Sequence, residues 1–323
     1  MRPTGRLHIG HLIGTLQSWR RLQEGAECFF FVADWHALTT DYDRSEGIGR
    51  NVIEMLIDWL AAGIDPARAT IFLQSAVPEH AELHLLLSMI TPVGWLERVP
   101  TYKEMQQQLD DRDLSTYGFL GYPVLQAADI LMYGATGVPV GADQVPHVEL
   151  TREIARRFNR MFGETFVEPE ALLSAAPRVP GVDGRKMSKS YHNAVFLSDS
   201  ATDLRAKLAR MMTDPRRARR HDPGDPEDCP AYTLHRVYCT PDELAFTAHG
   251  CRTAGIGCLE CKQIMIARVE QELGPIRERR AEIAAHPDDV RDLLAAGTRR
   301  ARAVAESTMV EVRRRVGLGG GVV

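Results

Sequence analysis

The chain has no apolar run long enough to cross a bilayer, and its first residues lack the basic, apolar and small-residue zones of an export signal. No membrane association is expected, and the expected location is cytoplasmic. Positive charge is not in excess: 39 Lys and Arg stand against 43 Asp and Glu, a net charge of −4. That argues against a protein that coats nucleic acid unselectively, and no DNA partner is expected. It leaves room for an RNA read by local patches, such as Arg216-Arg217-Ala218-Arg219-Arg220 or Arg313-Arg314-Arg315. Each of these reads equally well as a solvated helix end. There is no internal repeat, and no nucleophile–base pair announces a covalent protein intermediate. What remains is ordinary globular material: 323 residues, 44% apolar and 25% charged, enough for one large or two ordinary domains.

In the first half, strand-like and helix-like periodicities alternate. Residues 28–33 (CFFFVA) and 69–74 (ATIFLQ) read as buried strands, with an amphipathic helix over 48–62 between them that Asp65-Pro66 ends. Helices are expected over 79–90, 100–109 and 121–133, then a short strand over 138–140 and a helix to residue 162. This alternation predicts an α/β fold, a Rossmann-type parallel sheet with helices on both faces. Beyond Ser190 the strand signal nearly vanishes. Helices are expected over 200–212, 241–249, 258–273, 275–285 and 287–316, with an irregular Pro- and Arg-rich linker over 214–228 and a glycine-rich tail over 317–323. A boundary near Asn193 divides residues 1–193, a nucleotide-binding domain, from the all-helical residues 194–323.

Two short signals carry the chemistry. His8-Ile9-Gly10-His11 is a small-residue turn opening an amphipathic stretch, and Lys186-Met187-Ser188-Lys189-Ser190 is a flexible loop with two ammonium groups. Unpaired N–H groups at a helix entrance attract phosphate, Gly10 permits close backbone approach, and His8 and His11 can donate to oxygens as charge develops. Lys186 and Lys189 can aim two positive charges at one polyphosphate if the loop closes. Alone, the first signal is usually an ordinary turn and the second a solvated loop. Together, 178 residues apart in a mixed α/β chain, they predict a site that activates a nucleotide by positioning and electrostatics.

That pair resembles the signature of the class I aminoacyl-tRNA synthetases. GYPVLQAADILMY at 121–133, VPVGADQ at 138–144 and ADWHALT at 33–39 resemble the bacterial tryptophanyl members in particular, over residues 2 to about 215. The resemblance implies activation of L-tryptophan by ATP, with Mg²⁺ as ATP's companion, then transfer to tRNA(Trp) by a homodimer. It implies His8, His11, Lys186 and Lys189 as the catalytic groups. Arg2, Pro3, Thr4, Gly10, Gly141, Ala142, Asp143 and Val179, with Met187, Ser188 and Ser190 of the lysine loop, would complete the ATP site. Lys103 is a further candidate for the triphosphate, though a surface lysine is the commoner reading. Asp129, a carboxylate inside an apolar helix, would accept the indole N–H. Tyr122 and Gln144 would hold the α-ammonium group, and Val138 and Val140 would wall the slot, a role that does not distinguish them from sheet-core valines. Gln126 departs from the methionine many relatives carry. The resemblance also implies a short central strand before Arg2-Pro3-Thr4-Gly5, where Met1 stands, so an upstream start is the expectation. Other readings are a tyrosyl enzyme of the same fold and a non-charging paralogue that binds tRNA or tryptophan.

Five of the six cysteines lie between residues 229 and 261. Cys229, Cys251, Cys258 and Cys261 contain one C-x2-C knuckle, where zinc sites usually have two, and iron–sulfur clusters accept more irregular spacing. Iron–sulfur, zinc and free buried thiols all fit the spacing. A subset of the tryptophanyl enzymes resembles this pattern and carries a 4Fe–4S cluster, which the resemblance implies here, with a structural role.

Overall fold

The computed structural model describes residues 1–43, 45–100, 114–173 and 179–318. Lys103 and nearly all of the helix expected over 100–109 lie outside them. The chain is α/β, a parallel-sheet part followed by a helical part.

β1 (Cys28–Val32) and β2 (Ala69–Leu73) pair in parallel, Phe30 opposite Ile71. Cys28, Phe30 and Val32 point to one buried face, the alternation that a half-buried strand requires. The crossover helix Ile48–Ala61 returns the chain and buries Val52, Met55, Leu56 and Trp59, one stripe at helical spacing. β3 (Gly137–Val140) and β4 (Glu170–Leu173) form a second parallel pair, joined by the helix Val145–Phe162. β4 was not expected, because its Glu170, Leu172 and Leu173 are exposed and show no apolar alternation. Where the central strand was expected, the carbonyl of Met1 accepts the Ala33 N–H at 2.8 Å. A cavity of about 410 Å³ separates β1 from β3, lined among others by Phe29, Phe31, Tyr133 and Val138.

The helical part runs through Ala201–Ala209, Pro230–Tyr238, Pro241–Arg252, Cys258–Ala284 and Pro287–Arg315. The nine-residue helix Pro230–Tyr238 had no counterpart among the expected elements. Gly274-Pro275 was expected to divide two helices, yet Cys258–Ala284 continues through it. Ile276 and Leu273 are buried on either side, so packing outweighs the lost N–H of Pro275.

Two apolar cores hold these parts together, and each draws on both sides of residue 193. One joins Ile9, Leu12 and Phe30 to Leu204, Leu234, Met265 and Val269. The other joins Phe72, Leu83 and Val124 to Ala301, Ala305 and Met309 of the last helix. That helix lies along β2: the Leu73 N–H points at Thr298 Oγ1 at 3.4 Å, and a Cβ on Gly297 would stand 1.8 Å from the Ile71 carbonyl oxygen. Only glycine allows so close an approach.

Candidate active site

The turn His8–His11 closes on itself through its imidazoles. His8 Nδ1 accepts the Gly10 N–H at 3.1 Å, His11 Nδ1 accepts the His8 N–H at 3.2 Å, and the ring centroids are 3.8 Å apart. A Cβ on Gly10 would meet the His8 ring at 2.9 Å, so glycine is a steric requirement of this turn. Burial, then the nearby lysines, lowers the pKa of His8 to about 4; burial and the neighbouring His8 lower that of His11 to about 2. Both rings are neutral at pH 7 and can donate a hydrogen bond without carrying charge. Past His11 the helix passes through a π turn, Leu12–Leu16, a local widening often found at functional sites.

The turn is anchored from two directions. Ile9 N–H donates to the Val195 carbonyl at 3.0 Å, and Leu197 N–H donates to the Leu7 carbonyl at 2.9 Å. Leu7 N–H donates to Asp58 Oδ2 at 2.9 Å, while Asp58 Oδ1 accepts Arg280 Nε at 2.8 Å. Asp58 is fully buried, and burial raises its pKa against these hydrogen bonds.

The lysine loop reaches the same place. Lys189 Nζ donates to the Gly5 carbonyl at 2.9 Å and to Thr4 Oγ1 at 3.2 Å, which brings it onto the loop preceding His8. Burial lowers its pKa to about 8. Val179 lies beside Gly10 and accepts the Met187 N–H through its carbonyl at 3.0 Å. Asn193, 2% exposed, shapes the loop: its Oδ1 accepts the Ser188 N–H at 2.8 Å, and its Nδ2 donates to Asp183 and to the Lys186 carbonyl. Ser190 is exposed, and Lys186 extends from the same loop.

A cavity of about 350 Å³ opens beside these groups, lined by Arg2, His36, Phe119, Tyr122, Gln126, Asp129 and Gln144 among others. Size and mixed lining suit a small aromatic amphiphile. Asp129 is 3% exposed and surrounded by donors. Oδ2 faces His36 Nε2 at 2.7 Å, Oδ1 faces His80 Nδ1 at 2.7 Å, and Gln74 Nε2 reaches both oxygens at 2.8 and 3.0 Å. Burial pushes its pKa up, but the charge and hydrogen bond of His36, with the hydrogen bond from His80, prevail and hold it at about 2. Tyr122 Oη lies 2.7 Å from His147 Nε2, and burial lowers the pKa of His147 to about 4.

The structure thus brings Arg2, Tyr122, Asp129 and Gln144 to one cavity, and Thr4, His8, Gly10, His11, Val179 and Lys189 close to one another. Pro3 is buried beside Arg2 and Thr4, and Gly141, Ala142 and Asp143 are exposed on the turn after β3. Val138 lines the cavity between the sheets on the far side of Asp129, and Val140 lines neither of the two cavities. Sequence reasoning missed Gln74, His80 and Asp58. A buried acid needs donors, but nothing in the sequence says which distant residues supply them.

Cys229, Cys251, Cys258 and Cys261 line one narrow pocket with Arg217, His235 and Lys262. Cys239 stays outside it, its Sγ 3.4 Å from His235 Nδ1. Burial, then the other cysteines, pushes the Cys261 thiol up to about 12. Among the described residues, no three or more His, Cys, Asp or Glu gather closely enough to hold one metal ion.

Residues 1–273 match the family of tRNA synthetases class I (W and Y). The chain is 55% identical over 320 residues to a tryptophan–tRNA ligase of Thermotoga maritima, covering 98% of each, and 45% identical over 323 residues to one of Deinococcus radiodurans, covering 98% of this chain and 97% of that one. Its structure resembles that of the tryptophanyl-tRNA synthetase of Campylobacter jejuni complexed with ADP and tryptophan, with a TM-score of 0.86, 33% identity and 98% of each chain covered.

Proposed function

This chain belongs to the class I tRNA synthetases (W and Y), and on that premise we propose that it activates L-tryptophan with ATP and transfers it to tRNA(Trp). The observation that carries the choice of amino acid is Asp129, an ionised acceptor at the wall of a cavity sized for an indole. A site built around a buried acceptor rejects rings without an N–H, because the acceptor is then left unpaired. The oxygen of Tyr122, held 2.7 Å from the neutral His147, receives the α-ammonium group with Gln144.

The tryptophan carboxylate attacks the α-phosphorus in line, and pyrophosphate leaves toward His8, His11, Lys186 and Lys189. Neutral imidazoles and mobile ammonium groups suit charge that grows on the leaving phosphates. Arg2, Pro3, Thr4, Gly10 and Val179, with Gly141, Ala142 and Asp143 toward the ribose, position the nucleotide; Met187, Ser188 and Ser190 close the loop around it. Mg²⁺ accompanies ATP as part of the substrate. A ribose hydroxyl of the tRNA's terminal adenosine then attacks the mixed anhydride, with no covalent protein intermediate.

A 4Fe–4S cluster belongs to the same proposal. The donor set fits in type and number: four thiols line one pocket, and their mutual repulsion as thiolates is what a cationic iron core offsets. When bound, such a cluster cross-links Cys229 and Cys251 to the start of the helix Cys258–Ala284. We also propose a cytoplasmic homodimer, carried by the family resemblance.

Tryptophan-dependent ATP–pyrophosphate exchange, together with charging of tRNA(Trp), tests the activity. Exchange driven by L-tyrosine and not L-tryptophan would overturn it. Equimolar iron and sulfide in anaerobically purified protein tests the cluster, and iron-free protein rejects it.

A further inference from the structure

Asp129 sits between two kinds of partner. His36 reaches it from the cavity wall, whereas His80 and Gln74 approach from residues that do not line that cavity. Both are fully buried, His80 in the helix Glu79–Ser88 and Gln74 just after β2. Behind His80 stands Tyr133, its Oη 2.7 Å from His80 Nε2. Oδ1 of Asp129 can only accept, so at 2.7 Å the imidazole hydrogen is on Nδ1 and points at it. Nε2 is then left as the acceptor that the Tyr133 hydroxyl faces. Packing fixes the rings: Tyr133 stacks on Phe29 with centroids 4.6 Å apart, and Phe72 lies against both Tyr133 and His80.

We propose that Tyr133 and His80, with Gln74, are positioning residues that hold Asp129 as an acceptor-only carboxylate aimed into the cavity, and so set the preference for an aromatic ring bearing an N–H. This rests on the reading of Asp129 given above. The donors on the buried side fix the plane of the carboxylate and satisfy its inner lone pairs. His36 holds the remaining cavity-side position on Oδ2, where its Nε2 marks the place a ring N–H takes when a ligand displaces it. Without the Tyr133 hydroxyl, Nε2 loses the partner that anchors the ring, and the imidazole is free to turn away from Oδ1. The carboxylate then loses a fixed donor on its buried side and can rotate out of line with the cavity. That rotation weakens an N–H donor's advantage while leaving the apolar slot intact.

The test compares kcat/KM in ATP–pyrophosphate exchange for L-tryptophan and for its isostere with sulfur in place of the ring N–H, 3-benzothienylalanine. Both substrates are assayed on one preparation, so partial loss of folded protein cancels in the ratio. Tyr133→Phe is expected to shrink the tryptophan preference by about 10-fold, with KM for ATP unchanged. His80→Gln, whose amide still donates, is expected to retain more of that preference than His80→Phe. An unchanged ratio in Tyr133→Phe overturns the proposal whether or not the His80 variants fold. Asp129→Asn separates the two readings. If its ratio stays at the wild-type value, the assignment of Asp129 itself fails. If its ratio collapses while Tyr133→Phe keeps the wild-type preference, only the positioning roles fail.

Discussion

Lys189 is docked on Gly5: its ammonium donates to the Gly5 carbonyl at 2.9 Å, joining the lysine loop to the loop before His8 across 184 positions of sequence. The contact is partly buried, and burial lowers the lysine pKa to about 8. Here the charged form exists below that pH and is lost above it.

The pH dependence of kcat/KM for ATP is therefore expected to fall as pH rises through about 8. Lys189→Arg, which does not deprotonate in this range, should move the fall to higher pH while lowering the plateau. Lys189→Ala is expected to slow adenylate formation by about 100-fold or more, with little change in KM for tryptophan. Initial-rate exchange assays between pH 6 and about 9.5 check all three.

Asp58 ties Leu7 to Arg280, and removing one member leaves buried charge or an orphaned N–H. Asp58→Ala is expected to cost about 3–5 kcal/mol in chemical denaturation. Asp58→Leu combined with Arg280→Met removes the buried charge but leaves the Leu7 N–H unpaired, so it should recover part of that loss. A double variant no more stable than Asp58→Ala would show that the orphaned N–H and packing, and not charge, dominate at this junction.

Gly297→Ala should behave oppositely in isolation and in the fold. Alanine favours a helix over glycine by about 1 kcal/mol. In the folded chain its Cβ would stand 1.8 Å from the Ile71 carbonyl oxygen, so the helix must move off β2. A net destabilisation of about 3 kcal/mol or more is expected, measured by urea unfolding.

Gly10→Ala places a methyl group 2.9 Å from the His8 ring. The ring must leave the Gly10 N–H, which opens the turn without touching the tryptophan cavity. The expected result is a rise in KM for ATP and a fall in kcat of about 10-fold or more each, with tryptophan binding by calorimetry unchanged.

The parts of this site that sequence reveals are those set by local chemistry. The small-residue turn at His8–His11, the paired lysines and an acid inside an apolar helix each announce a constraint where they stand. The strands Cys28–Val32 and Ala69–Leu73 were visible for the same reason, because burial on one face leaves a pattern in a short window. What was not visible depends on partners far along the chain. Asp129 meets His36 and His80 across 93 and 49 positions, and Asp58 meets Arg280 across 222. Pro275 misled because helix breaking is a local rule, and Leu273 and Ile276 override it by packing. β4 was missed because Glu170, Leu172 and Leu173 are exposed, so no alternation of buried and exposed side chains marks the strand.

The contact between Gly297 and Ile71 has a consequence for synthesis on the ribosome. The last helix covers the open edge of β2 and completes the core around Phe72, so these groups stay uncovered until residues beyond 287 have emerged. A nascent chain stopped short of that point displays an unpaired strand edge beside an incomplete apolar core, the combination most prone to association with other chains. The residues lining the pocket around Asp129 all lie within the first 144 positions, but the core that backs them is completed only as the end of translation approaches.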